Sequence, residues 1–278
     1  MSFKTILTVT APGHGDADLK LGAALCEDID AHLAVFVVGL AAPPPIGAYA
    51  AVVSEAWYQE RQVDLEKLQA RTDTVSGLLA SMTISSDISS EYQEIAWADE
   101  AIGRRARYAD MAILGPDGLS SDELKANVVE GVLFHAGKPL LLVPAGHTPT
   151  LSPNRIMVAW DGRLESSQAV AWSLPLLRTA EEVHLVLVDP VEGDEEHGEE
   201  PGADAAAYLA RHGVRVVVDR LPSQGRDVAS VLRQHAVDTA ADLLVMGAYG
   251  HSRLRQRIFG GVTSSMLESP PLPVFMAR

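Results

Sequence analysis

One pattern occurs twice in this chain, and it limits the folds the chain can adopt more than any other feature. The run Tyr108 to Gly118 (YADMAILGPDG) aligns with Ala240 to Gly250 (AADLLVMGAYG). Each is an Ala-Asp pair, a short apolar stretch and two glycines three positions apart. The openings Thr5 to Val9 and Arg155 to Ala159 match in the same way, as do the endings Lys138 to Val143 and Leu272 to Met276. An internal duplication of this kind sets the architecture. It divides the 278 residues into two domains, 1–146 and 153–278, each of ordinary domain size. The joining stretch, Ala145 to Pro153, holds prolines and a glycine that resist helix and ladder alike.

In the second half, β-rich runs at 155–160, 183–189, 214–221, 242–247 and 273–277 alternate with helical stretches at 164–179, 203–212 and 225–239. Such alternation predicts parallel strands joined by right-handed helical crossovers. Leu176, Leu177, Val228, Ala229, Val231, Leu232, His235 and Ala236 recur at steps of three and four, as helices covering a sheet require. The first half repeats the pattern. Its second strand is followed by a proline-rich excursion (residues 41–47), a linker or a binding lid, and then by a long helix from about Ser54 to Met82. The fold class is therefore α/β, with two tandem, doubly wound, Rossmann-like domains, each on a five-stranded parallel sheet.

Composition excludes several functions. A net charge of −15 and a sequence pI near 4.9 argue against nucleic-acid binding, which draws on basic patches. No apolar run is long enough to cross a membrane. The opening residues enter a strand pattern rather than a signal-peptide core, so a soluble, cytoplasmic protein is expected. The single cysteine, Cys26, lies in an apolar helical pattern and is expected to be a buried structural thiol.

The segment that carries chemistry is Gly247 to Ser265 (GAYGHSRLRQRIFGGVTSS). Gly247 directly follows an apolar strand ending at Met246, and doubly wound sheets bind ligands outside the carboxyl ends of their strands. Glycines there let backbone N–H groups approach an anion. Gly260 and Gly261 open a final helix, with Val262, Thr263 and Ser264 in its first turn, and a helix N-terminus favours phosphate. By themselves these glycines could also be a tight turn and a helix boundary.

Strand, Gly247, Gly250, nine residues, Gly260, then Val262 and Thr263: this arrangement resembles the ATP-binding signature of the universal stress protein family. The resemblance implies a Rossmann-like five-stranded sheet, a homodimer or an intramolecular pseudo-dimer, and a stress-response role without vigorous catalysis. It also implies a bound adenine nucleotide, ATP or AMP, with or without Mg. Carried onto this sequence, Gly247, Gly250 and Gly260 would contact phosphate, as would Val262 and Thr263. Asp161, in the run Ala159, Trp160, Asp161, Gly162, would meet the adenosine, and Val188 would offer a backbone contact to adenine. Two positions depart from the pattern. Gly261 stands where nucleotide binders usually carry Ser or Thr, and Trp160 stands where a smaller residue is common, either to stack on adenine or to fill the pocket. Arg253, Arg255 and Arg257 belong to a solvated loop or to the phosphates, Arg253 being the best placed.

The first half departs further. Its loop (GPDGLSSDE, 115–123) carries Asp117, Asp122 and Glu123, Val128 replaces the third glycine, and Ala11 replaces the carboxylate of Asp161. Negative charge repels an anionic ligand, so this half is expected to bind no nucleotide and to act as a structural or dimerising partner.

Other chemistry is not indicated. The acidic run 192–200 lacks calcium-loop spacing, and His184 alternates within an apolar strand as a hydrogen-bonded residue rather than a ligand, so no metal ligands are assigned. There is no nucleophile elbow, zinc signature or Walker lysine, and no catalytic base for phosphoryl transfer. A binding protein is expected rather than an enzyme, with a nucleotide-free scaffold or small-ligand binder as the alternative.

Overall fold

The structure is a computed structural model describing residues 3–43, 55–191, 193, 200–249 and 261–278. The chain forms two units, Phe3–Lys138 and one running from Pro139 to Arg278.

The first unit comprises β1 (Thr5–Thr10), α1 (Ala17–Ile29), β2 (His32–Ala41), α2 (Glu55–Ala80), β3 (Ser86–Glu94), α3 (Ala98–Ala106), β4 (Met111–Leu114), α4 (Pro116–Leu119) and α5 (Asp122–Val129). Its strands run parallel in the order β3-β2-β1-β4. Continuous apolar strands suit a parallel sheet covered on both faces. Accordingly Ile6, Leu7 and Val9 of β1, Val35 to Val38 of β2 and all of β4 are buried. The long helix predicted after the proline run is α2, whereas residues 44–54, including Pro44, Pro45 and Ser54, lie outside the described residues.

The second unit comprises β5 (Leu140–Leu142), β6 (Arg155–Ala159), α6 (Leu164–Leu177), β7 (Glu182–Val188), α7 (Ala203–Arg211), β8 (Val216–Leu221), α8 (Val228–Asp238), β9 (Leu243–Gly247), α9 (Gly261–Glu268) and β10 (Val274–Ala277). Five strands run parallel in the order β10-β9-β6-β7-β8. This is the sheet the alternating pattern predicts. The strand predicted at the end of the first half, β5, pairs antiparallel with β10, Leu141 opposite Phe275. The sheet is mixed because β10 would otherwise be an edge strand with unpaired backbone groups.

The repeated Ala-Asp pair has a mechanical role. The Asp110 carboxylate accepts the N–H groups of Lys4 and Thr5, and that of Asp242 accepts those of Asn154 and Arg155, both at 2.9 Å. In each unit the aspartate ahead of one central strand pins the start of its neighbour. Side-chain caps set two of the helix starts: Ser121 accepts the N–H of Leu124, and Asp227 that of Ser230.

Candidate functional site

In the second unit the sheet register brings the predicted adenosine-side residues together. Ala159 stands opposite Val186 on one side and Met246 on the other, so β6, β7 and β9 end at one rim. Trp160 continues the ladder, its N–H donating to the Val186 carbonyl at 2.9 Å. Beyond it Asp161 is exposed, and its carboxylate accepts the Arg163 N–H at 3.1 Å where α6 begins. Ala159, Trp160 and Val188 are half-buried, leaving a surface that is neither core nor fully solvated. Met246 is buried, so it can offer a ligand only its backbone.

The other wall is the turn after β9. Tyr249 adopts φ of 62°, an uncommon conformation for a residue with a side chain, and its N–H donates to Thr263 Oγ1 at 3.3 Å. Thr263 is buried in the first turn of α9, so this bond ties the end of β9 to the start of α9. Gly261 is exposed and a side chain there would meet nothing within 4 Å, while Val262 is half-buried. Gly250, Arg253 and Gly260 lie outside the described residues, as do Arg255 and Arg257. Gly247 is needed for close approach, since a Cβ there would lie 2.5 Å from the Ser166 nitrogen at the start of α6.

A model of the universal stress protein family matches residues 153–278. Residues 153–278 are a universal stress protein domain. The universal stress protein Slr1230 of Synechocystis sp. is 27% identical over 174 residues, 61% of this chain and 58% of that one. The match thus spans little more than half of that relative. A universal stress protein structure from Archaeoglobus fulgidus superposes with a TM-score of 0.67 at 16% identity, covering 98% of this chain and 96% of its own. The functionally unknown protein PA1789 of Pseudomonas aeruginosa gives 0.57 at 14%, covering 99% and 92%. At these identities the likeness shows the fold.

The rim of the first unit, equivalent to the site in the universal stress protein domain, is filled by its own side chains. The buried Asp18 carboxylate, in the first turn of α1, accepts the N–H groups of Gly115, Asp117 and Gly118 at 3.0, 2.9 and 3.0 Å. The Asp117 carboxylate in turn accepts the Ala17 N–H at 2.9 Å, so two helix starts exchange carboxylates. Burial pushes the Asp18 carboxyl above its ordinary range, with the N–H bonds from Gly118, Asp117 and Gly115 opposing. At the other end of this rim, the buried Arg71 guanidinium of α2 bonds Asp16, Thr10 Oγ1 and the Gly15 carbonyl.

Sequence reasoning attributed the degeneracy of this rim to the acidic loop and to Ala11, and it missed Asp18 and Arg71. The loop from Ala11 to α1 is longer than that from Asp161 to α6, which hides the correspondence between the starts of the two helices. Acidity in the first turn of α1 was the available signal. His184, expected to be hydrogen-bonded, holds Asp219 Oδ2 at 2.7 Å. Cys26 is buried, and burial pushes its thiol up to about 12. The acidic run from 194 to 199 lies outside the described residues, and no helix among those described is long and apolar enough to cross a membrane.

Proposed function

We propose that the universal stress protein domain binds an adenine nucleotide, ATP or AMP, at the shared rim of β6, β7 and β9, and that the bound state serves a cytoplasmic stress response. One observation carries this reading. The bond from Tyr249 to Thr263 holds the start of α9 beside the turn after β9, on the rim where Asp161 follows β6. One wall offers a carboxylate for ribose hydroxyls or the adenine amine. The other offers helix N-terminal amides for phosphate.

In this reading Ala159, Trp160 and Val188 border the adenosine, and Met246 contributes backbone. Gly247, Gly250, Gly260, Gly261, Val262 and Thr263 surround the phosphates, with Arg253 and a Mg ion offsetting their charge. The first unit, its rim filled by Asp18 and Arg71, takes no nucleotide. The chain binds rather than turns over its ligand. Small molecules released from the purified protein should include an adenine nucleotide. Finding none, with no calorimetric ATP binding at millimolar concentration, rejects the proposal.

The half-buried Trp160 favours a second reading, a scaffold or small-ligand binder whose pocket the indole occupies. Gly250→Val separates the two: it abolishes nucleotide binding in the first reading and changes nothing measurable in the second.

A further inference from the structure

On β7, β8 and α8 of the second unit, two imidazoles converge on one carboxylate oxygen. Asp219 Oδ2 on β8 lies 2.7 Å from His184 Nδ1 on β7 and 2.8 Å from His235 Nε2 on α8. The imidazoles stand edge to face with centroids 5.9 Å apart, and the donor atoms all fall within 4.8 Å of one another. The side chains are 14, 21 and 16% exposed for His184, Asp219 and His235, so the group is sheltered yet open to solvent. The topology dictates the convergence: His184 and Val186 share a face of β7, Val186 stands opposite Asp219, and α8 crosses that face.

We infer that His184, Asp219 and His235 form a binding site for a divalent transition-metal ion of the zinc class. Two imidazoles and a carboxylate are a ligand set zinc accepts, with water completing the shell. Zinc bonds of about 2.0–2.1 Å hold tetrahedral donors about 3.3 Å apart, so each imidazole nitrogen need move from the Asp219 oxygen by only about half an ångström. A second feature supports the assignment. His184 presents its other nitrogen, Nε2, to Glu182 Oε2 at 3.5 Å, the outer carboxylate that typically orients a metal-bound histidine. Asp99, Glu130 and His135 of the first unit form another close group, but it has one imidazole and suits such an ion less well.

The test is to titrate the metal-free full chain with Zn²⁺ against a chromophoric chelator, and with Co²⁺ while recording visible absorption. The wild type should bind one equivalent more than His235→Gln and show a cobalt band that this variant lacks. Glu182→Gln should retain the band and weaken affinity by about 10-fold. Zn²⁺ should also raise the melting temperature of the wild type and not that of His235→Gln. If the wild type gives no cobalt band, or binds the same zinc as His235→Gln, the group is a hydrogen-bonded network and the inference fails. Because the cobalt band is read on the wild type, a variant that does not fold leaves the test intact.

Discussion

The Asp18 carboxylate accepts the Gly118 N–H at 3.0 Å, and with those of Gly115 and Asp117 it satisfies three backbone donors of the turn after β4 with one side chain. Removing the acceptor orphans buried donors, each costing about 1–3 kcal/mol. Asp18→Ala is expected to destabilise the first unit by about 3 kcal/mol, read as an earlier urea transition.

Asp18→Asn should cost less, for a reason visible in its pH dependence. Burial raises the folded carboxyl above its ordinary 3.8, so between 3.8 and the folded value the unfolded chain releases its proton first. The contribution of this group to stability therefore falls as pH rises through that window. An amide keeps an acceptor and avoids burying the charge. The difference between the asparagine and alanine variants at pH 7 checks this.

Cys26 should resist alkylation at pH 8 in the folded chain and react after unfolding. Its folded thiol is pushed from 9.0 up to about 12, so between these values the unfolded chain ionises and the folded chain does not. Stability should fall with rising pH there, by up to about 1.4 kcal/mol per pH unit from this group. Comparing wild type with Cys26→Ser isolates the slope.

Gly247→Ala places a Cβ against backbone atoms of Glu165 and Ser166. Backbone cannot yield as a side-chain tip does, and overpacking typically costs about 1–3 kcal/mol. Denaturant titration should show that loss without any ligand present. A variant as stable as wild type would mean that this glycine serves the ligand alone.

Thr263 and Gly261 lie two residues apart and make opposite predictions. Thr263→Val removes the acceptor for Tyr249 and should lower stability by about 1 kcal/mol as well as weaken ATP binding, with Thr263→Ser recovering both. Gly261→Ser restores the hydroxyl typical of nucleotide binders where nothing lies within 4 Å of a Cβ. It should tighten ATP by about 10-fold, the equivalent of about 1.4 kcal/mol, at no cost in stability. Calorimetry on the four proteins decides.

The duplication and the alternation of parallel strands with helices in the second unit were legible because each rests on local pattern: the apolar period, and an Ala-Asp pair that recurs ahead of β4 and β9. What escaped depends on distant partners. Nothing local says that Leu140–Leu142 pairs with Val274–Met276, that Asp18 reaches Gly115 across 97 positions, or that Arg71 crosses to Thr10. The histidines 184 and 235 likewise meet only because β7, β8 and α8 stack.

In the proposed function one domain holds nucleotide, whereas the other fills its own rim with Asp18 and Arg71. Calorimetric titration of the full chain with ATP, in wild type and Asp161→Ala, tests it most directly. One nucleotide per chain, lost or weakened at least about 10-fold in the variant, is the predicted result. Two nucleotides per chain, none at millimolar ATP, or one whose affinity ignores Asp161→Ala would contradict it.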